Sequence, residues 1–389
     1  MRLARDDRSL AAEWWFSVDR VLLVAVLALI GIGIILSLAA SPAVATRKGL
    51  PTFHFVERHL VFAMAGIVLI LMTSLLDPRR VLVLAVGVLG IALVLMLAAV
   101  LYGPEVNGAR RWVRFAGFSL QPSEIAKPAF AVVAAWLFAE ARARPRTGMV
   151  ALAIALYAVT SVLLLVQPDV GLWFLVTLVW GALFFISGQP LLWALAFGGI
   201  GLGGLAAAYS AFPHVRGRIA RFLDPASGDT FQTDRAIQSF AEGGFFGRGP
   251  GEGTIKSVLP DAHTDFIFAV VAEEYGALAC LVLVALFAFV VGRALMRYRH
   301  RRDPFTHLAV NGLALLIALQ AAINMAVNVG LVPAKGMTLP FISAGGSSMI
   351  AASLTVGMLL ALVRRRADSR VVGRPTVART LPPIGRNAR

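Results

Sequence analysis

Long apolar runs recur along almost the whole of this 389-residue chain, and short polar connections separate them. A bilayer core about 30 Å thick requires roughly 20 apolar residues for each helical crossing, and most of the runs reach that length. Hydrophobic residues make up 58% of the chain and charged residues 15%, whereas about a quarter of the residues in soluble domains are charged. The runs lack the strict alternation of a transmembrane β-barrel. The sequence therefore predicts an all-α integral membrane protein.

The apolar runs predict about ten transmembrane helices. The first run follows an arginine-rich segment, but it is longer than the roughly 7–15 residues of a signal-peptide core, so we interpret it as a retained helix. Ten crossings place both termini on the same side of the membrane. The predicted spans cover residues 21–41, 59–77, 81–102, 122–140, 149–166, 170–187, 190–211, 266–292, 306–331 and 341–363.

Arginine-rich segments indicate which side faces the cytoplasm. The N-terminal segment, the connections after the second, fourth and eighth spans and the segment after the tenth span all carry arginine and lie on one side. By the positive-inside rule that side is cytoplasmic, so both termini are predicted to be cytoplasmic. Two connections on the opposite side are also basic, through Arg47, Lys48 and Arg58 and through Arg110, Arg111 and Arg114.

The predicted spans divide the chain into three parts. Residues 1–18 form a cytoplasmic tail, residues 19–366 form the polytopic membrane domain, and residues 367–389 form a basic, disordered cytoplasmic tail. A long external loop at about 212–265 joins the seventh and eighth spans. Loops of this length tend to be functional.

Charge and cysteine content exclude several classes of protein. A net charge of +15 would suggest nucleic acid binding in a soluble protein. Here the arginines lie in tails and loops, where they orient the chain, so no nucleic acid partner is expected. Cys280 is the only cysteine, which leaves no intramolecular disulfide and no cysteine-based metal site.

Polar residues inside or beside the apolar runs are the candidate functional residues, because a charge within a span costs about 2.5–3.5 kcal/mol on insertion scales. They form four clusters, at the starts of spans four, six, eight and ten. In the predicted topology all four starts face outward, so the clusters should converge. They comprise Gln121, Pro122, Ser123, Glu124 and Lys127; Pro168, Asp169 and Gly171; His263, Thr264 and Asp265, with Glu273 and Glu274 two turns further in; and the run from Pro333 through Lys335 to Ser343, Gly345, Gly346, Ser347 and Ser348.

The convergence of these clusters predicts a receptor for a phosphate or diphosphate. Helix N-termini carry unpaired N–H groups and a partial positive charge, and several of them around one cavity favour an anionic ligand. Lys127, Lys335 and either Arg110 or Arg111 would add full positive charges.

Several candidates also have a purely structural interpretation. Glu124 and Lys127 lie three positions apart on one helix face and could form only an ion pair. Asp169 could cap the sixth span, and His263 could be a base or simply a hydrogen-bonding loop residue.

Span nine carries a polar stripe of Gln320, Asn324 and Asn328, four positions apart. Such a stripe should face protein rather than lipid, and contacts between packed helices are its structural interpretation.

Asp265 is the candidate general base. It lies at the membrane boundary directly before Phe266 and Ile267, where partial desolvation would make its carboxylate a more capable base.

Two stretches of sequence resemble signatures of the SEDS family (shape, elongation, division and sporulation). They are residues 259–269, LPDAHTDFIFA, and residues 328–348, NVGLVPAKGMTLPFISAGGSS. The similarity includes residues 121–127, QPSEIAK, and extends over nearly the whole membrane region. Residues 107–112 and 260–263 resemble the division branch of the family more than the elongation branch. Ala344 and Tyr275 depart from the commonest family pattern.

The resemblance implies a peptidoglycan glycosyltransferase that polymerises lipid II into β-1,4 glycan strands at the outer face of the bacterial inner membrane. Asp265 occupies the position of the family's essential acidic residue. The substrate-binding residues implied for the lipid II diphosphate and sugars are Lys335, Lys127, Glu124, Arg111, His263, Asp169, Ser343 and Ser347. No metal ligand and no cofactor is predicted, although a divalent cation such as Mg²⁺ is compatible with a diphosphate leaving group.

The implied partners are lipid II, the nascent glycan strand, a class B penicillin-binding protein that cross-links the strands, and other proteins of the division septum. A lipid II flippase is the main alternative, and an enzyme of lateral-wall synthesis is another. A flippase should need polar residues reaching the cytoplasmic side, whereas the clusters gather at one face. An ion-coupled carrier predicts related halves, and the sequence has no evident repeat.

Overall fold

The computed structural model describes residues 10–106, 108–115, 118–189, 231–298, 303–333 and 336–364, with isolated positions between 198 and 217. Eleven α-helices have bounds within these residues, and we number them in chain order. They are α1 Leu10–Ser17, α2 Arg20–Arg47, α3 His54–Ser74, α4 Pro78–Tyr102, α5 Pro122–Ala143, α6 Met149–Val166, α7 Val170–Ile186, α8 Phe231–Gly243, α9 Ile267–Tyr298, α10 Pro304–Asn328 and α11 Gly346–Val363.

The helical membrane fold is confirmed. Helices α2, α3, α4, α6, α9, α10 and α11 are long and apolar enough to cross a membrane, and α7 is a shorter apolar helix. Together with α5, these helices correspond to nine of the ten predicted spans. The remaining predicted span, 190–211, lies outside the described residues apart from isolated positions, as do the predicted tail at 367–389 and Lys335.

The connections contain structure that the search for apolar runs did not predict. Helix α1 lies within the predicted N-terminal tail, and α8 lies within the predicted external loop, followed by a short 3-10 helix at Ile255–Ser257. An antiparallel pair of strands, β1 at Val113–Phe115 and β2 at Phe118–Leu120, precedes α5. These elements are too short or too polar to register as membrane spans.

Helix α5 forms the centre of the bundle. It is buried at most of its positions and packs against α4, α6, α7, α10 and α11. Proline at its first position fits the start of a helix, because the missing N–H would have no intrahelical partner there. Glu124 and Lys127, near the start of α5, are therefore held within protein rather than against lipid.

Helix α11 is also buried and lies very close to α3. A Cβ added at Gly66 would come within 2.4 Å of Ser353 Oγ, and one added at Gly357 within 1.7 Å of Thr73 Oγ1. Small residues allow such close approach of membrane helices. The outer surfaces of α3 and α4, by contrast, expose large apolar side chains such as Val61, Met64 and Val83.

The end of the bundle where α2 begins and α9 and α11 end is held together by arginine side chains; we call it the opposite end. Asp19 accepts the N–H of Leu22 and forms ion pairs with Arg293 at 3.0 Å and Arg297 at 3.2 Å. Arg364 donates to Ser17 Oγ at 2.9 Å and to the carbonyl of Leu75 at 3.2 Å.

Helix α9 is interrupted at Gly276, where φ is 79° and ψ is 178°. The chain after α8 pairs with this break, because the N–H of Arg248 donates to the carbonyl of Glu273 at 2.9 Å and the N–H of Ala277 to the carbonyl of Gly244 at 2.9 Å. A side chain at Gly276 would meet the carbonyl of Phe245 at 2.4 Å, so glycine is required there for both conformation and space.

Candidate functional site

The starts of α5, α7 and α11 meet at one end of the bundle, which we call the site end. Gln121, directly before α5, donates through Nε2 to Asp169 Oδ2 at 3.3 Å, and Asp169 precedes α7. The main-chain N–H of Gln121 donates to Ser347 Oγ, in the first turn of α11, at 3.0 Å. Three of the four predicted clusters are therefore in direct contact.

The fourth cluster, before α9, contacts the segment before α11. Ser343 donates through Oγ to the carbonyl of Thr264 at 2.6 Å, and the N–H of Ala344 donates to the carbonyl of His263 at 2.9 Å. Ser343 Oγ also accepts the N–H of Leu339 at 2.8 Å, which closes a turn. The predicted convergence of all four clusters is thus present in the structure.

Glu124 and Lys127 form a buried ion pair. Lys127 Nζ lies 2.8 Å from Glu124 Oε2, and the lysine side chain is only 2% exposed. Lys127 Nζ also donates to Gln320 Oε1 of α10 at 2.8 Å. The pair is neutral as a unit, so an anionic ligand would have to compete with Glu124 for Lys127.

Arg111 and Asp169 form a second compensated pair. Arg111 Nη1 lies 3.6 Å from Asp169 Oδ2, and Arg111 Nε donates to the carbonyl of Gln167 at 2.9 Å. Asp169 also caps α7 by accepting the N–H of Leu172 at 3.3 Å. Asp169 therefore caps α7 and also contacts residues of the other clusters.

His263 is buried, and its ring packs against Phe55 with centroids 4.5 Å apart and an angle of 43° between the ring planes. The pKa of His263 is lowered to about 4, chiefly by burial and also by the positive charges of Lys48 and Arg47, against the opposing effect of Asp261. His263 is therefore neutral at pH 7 and supplies no positive charge to a diphosphate. Its Nδ1 has no hydrogen-bond partner among the described residues.

Asp265 is half-buried at the entrance to α9. Its carbonyl accepts hydrogen bonds from Asn324 Nδ2 and Asn328 Nδ2, each at 2.9 Å. Its Oδ2 lies 3.5 Å from the position that a Cβ would take on Gly336. The carboxylate therefore faces the backbone of the segment that leads to α11.

The polar stripe of α10, Gln320, Asn324 and Asn328, holds the main chain of both residues 259–269 and residues 328–348. The sequence did not predict this role. Gln320 Nε2 donates to the carbonyl of Thr338 at 3.2 Å, and Asn324 Nδ2 donates to the carbonyl of Met337 at 2.6 Å. The regular spacing predicted that the stripe faces protein, as it does, but not which residues it contacts.

Two further side chains, Arg47 and Glu273, anchor the loop before Asp265 through contacts that the sequence did not predict. Arg47, at the end of α2, donates to the carbonyl of Ser257 at 3.1 Å. Glu273 accepts the N–H groups of Ile255 at 2.6 Å and Lys256 at 3.0 Å. Among the described residues, no group of three or more His, Cys, Asp or Glu side chains could hold a metal ion.

The fold and the site together define a multi-pass membrane protein whose polar site is built from helix starts at one end of the bundle. Residues 20–368 match the sequence profile of the FtsW, RodA and SpoVE family of cell cycle proteins. The chain belongs to this family, which confirms the resemblance inferred from residues 259–269 and 328–348.

Curated relatives support the assignment. The chain is 48% identical over 364 residues to the probable peptidoglycan glycosyltransferase FtsW of Caulobacter vibrioides, with 93% of each chain covered. It is 36% identical over 351 residues to the protein of the same name from Trichlorobacter lovleyi, with 88% of this chain and 92% of the relative covered.

Solved structures share the fold. A chain from a structure on the coordination of polymerization and crosslinking by a peptidoglycan synthase complex matches with a TM-score of 0.75 and 27% identity, over 90% of this chain and 98% of that chain. The rod shape determining protein RodA of Thermus thermophilus matches with a TM-score of 0.67 and 27% identity, over 90% and 97%.

Proposed function

We propose that this protein is a peptidoglycan glycosyltransferase that polymerises lipid II into β-1,4 glycan strands during septal wall synthesis. The observation that carries the proposal is the placement of Asp265, whose main chain is anchored at the meeting point of four polar clusters. The names of the curated relatives, covered over nearly their whole length, support the same activity.

Asp265 acts as the general base of an inverting transfer. Its carboxylate takes the proton from the 4-hydroxyl of the acceptor sugar, and the oxygen attacks the anomeric carbon of the α-linked phosphosugar. The bond from that carbon to the diphosphate breaks as the β-1,4 bond forms, and undecaprenyl diphosphate leaves. General base catalysis typically contributes about 10²–10⁴-fold to a rate.

The departing diphosphate is stabilised by the helix starts at the site end. Lys127 and Arg111 are paired with Glu124 and Asp169, so the two pairs add no net charge before substrate binds. The N–H groups at the starts of α5, α7 and α11, with Lys335, are then the main source of positive potential, and Ser343, Ser347 and His263 contribute hydrogen bonds to the sugars or phosphates.

The site end faces the outside of the bacterial inner membrane, at the division septum, and both termini are cytoplasmic. Residues 1–18 and 367–389 form cytoplasmic tails around the membrane domain at 19–366. The arginine-rich opposite end supports this orientation, because cytoplasmic connections carry an excess of arginine.

A class B penicillin-binding protein that cross-links the new strands is the proposed partner, together with other proteins of the septum. The similarity to a chain of a peptidoglycan synthase complex supports a partnership that joins polymerization to crosslinking.

Polymerisation of labelled lipid II by the purified protein, with and without the penicillin-binding protein, tests the proposal. Asp265→Asn removes the base but keeps the shape, and we expect glycan product to fall by at least about 10²-fold while lipid II binding is retained. Asp261→Asn is the matched control, because Asp261 is an exposed carboxylate in the same loop.

Undiminished polymer from Asp265→Asn would exclude the role of Asp265 as base. No polymer from the wild-type protein, despite an active partner, would favour a flippase instead. In that case movement of labelled lipid II across vesicles that contain only this protein should be measured.

A further inference from the structure

Three carboxamide side chains of α10 point toward the segments that form the site. Gln320, Asn324 and Asn328 are buried and lie four residues apart, so they form a row along one face, about 6 Å from one to the next. We propose that Asn324 and Asn328 are positioning residues for Asp265, which hold its main chain so that its carboxylate meets the acceptor hydroxyl. The inference rests on the proposed role of Asp265 as general base.

Asn324 joins the two signature segments to each other. Its Nδ2 donates to the carbonyl of Asp265 at 2.9 Å and to the carbonyl of Met337 at 2.6 Å. A carboxamide has two N–H groups, and both are used here, one for each segment. Asn324 therefore links the base directly to the segment at Gly336, in addition to the contacts of Ser343 and Ala344 with Thr264 and His263.

Asn328 fixes the direction in which the chain enters α9. Its Nδ2 donates to the carbonyl of Asp265 at 2.9 Å, and its Oδ1 accepts the N–H of Ala269 at 3.0 Å. That N–H lies in the first turn of α9, where main-chain donors lack full intrahelical partners, and it is shared with the carbonyl of Phe266 at 3.1 Å. Asn328 thus contacts the chain on both sides of the helix start.

These contacts restrain the main chain of Asp265 through its carbonyl. The carbonyl of Asp265 cannot shift without lengthening two hydrogen bonds, so the direction of its side chain toward Gly336 is maintained. A displacement of a reacting group by about 1 Å can cost about 10²-fold in rate. Loss of these donors should therefore reduce kcat, while Lys127 and Arg111, which are held by Glu124 and Asp169, stay in place.

Asn324→Ala and Asn328→Asp test the proposal in the full-length protein with its penicillin-binding partner. Asn324→Ala removes both donors. Asn328→Asp keeps an acceptor for the N–H of Ala269 but removes the donor to the carbonyls of Asp265 and Asn324, so it separates capping of α9 from positioning of the base. Asn311→Ala is the matched control, because Asn311 lies on the same helix and, among the residues that the structure describes, donates to the carbonyl of His307 alone, at 2.7 Å.

We expect kcat for lipid II polymerisation to fall by about tenfold or more in both variants, with KM changed by less than about threefold and with Asn311→Ala unchanged. The melting temperature and lipid II binding are measured in the same preparations. Turnover within about twofold of wild type in both folded variants, or a fall in kcat that only follows the folded fraction, would overturn the proposal.

If either variant does not fold, Asn324→Gln provides the deciding measurement, because the longer side chain keeps both donors but displaces them. A reduced kcat in folded Asn324→Gln supports positioning, and full turnover contradicts it. Asp265→Asn is assayed alongside. If Asp265→Asn is active, Asp265 is not the general base. If Asp265→Asn is inactive but the variants of Asn324 and Asn328 are fully active, only the positioning role of the two asparagines is refuted.

Discussion

At the site end of the bundle, most polar side chains bond to main-chain groups of loops, whereas at the opposite end arginines bond to carboxylates and carbonyls at helix ends. Asn324 and Ser343 fix the carbonyls of residues that lead into α9. Asp19 instead joins the start of α2 to Arg293 and Arg297 of α9. The contacts at the site end fix the shape of a loop, whereas the contacts at the opposite end fix the spacing of helices. Substitutions at the site end should therefore reduce both stability and activity, and substitutions at the opposite end should reduce stability alone.

The largest effect on stability is expected from the buried pair at the site end. Lys127→Met leaves Glu124 buried without its cation and should lower the free energy of unfolding by about 3 kcal/mol or more. The double variant Lys127→Met with Glu124→Gln removes both charges and should recover most of that loss. Thermal melting in detergent measures both, and lipid II polymerisation is assayed in parallel.

Activity of this double variant separates the two interpretations of the pair. A stable but inactive double variant supports a role of Lys127 in holding the diphosphate. A stable and fully active one would show that Glu124 and Lys127 form only a structural ion pair, in which case the anion depends on the helix starts and Lys335.

A smaller effect on stability is expected at the opposite end. Asp19→Ala removes the cap of α2 and the partner of two arginines that are 32% and 21% exposed. We expect a loss of about 1–3 kcal/mol, because the arginines can still reach water. Arg80→Ala is the control, since its pair with Asp77 is exposed and should contribute about 0–1 kcal/mol.

Polymerisation per folded molecule should be unchanged in Asp19→Ala. If activity fell as steeply as it does in the site-end variants, the distinction between the two ends would fail.

The smallest effect on stability near neutral pH is expected from the titration of His263. Its pKa is about 4 in the folded protein, against 6.5 for an ordinary histidine, so the unfolded chain binds more protons between these values. Stability should therefore fall as the pH drops from about 6.5 toward about 4 and should not change between pH 7 and 8 on account of this residue. Histidine NMR chemical shifts in nanodiscs, with His263→Gln for assignment, measure the titration directly.

A His263 resonance that titrates near pH 6.5 would contradict the buried, neutral state. It would also add His263 to the cations available at the site end below that pH.

Most of the transmembrane helices could be predicted from the sequence, because the bilayer requires a similar length and an apolar composition in every membrane-spanning helix. The meeting of the polar clusters also followed, since helices that cross in the same direction start at the same end. The contacts of Asn324 with Asp265 and Met337 did not, because they depend on packing between segments far apart in the chain. The pairing of Arg111 with Asp169 was missed for the same reason, and it changed the expected source of positive charge.

Helix α5 has a consequence for how the protein is made. It is absent from the helices that are apolar enough to cross a membrane by themselves, yet it occupies the centre of the bundle. Helices with several charges are poorly recognised by the insertion machinery when they emerge alone. We therefore expect α5 to enter the bilayer together with α4 or α6, so that assembly of the central helix is a cooperative event rather than one step in a series.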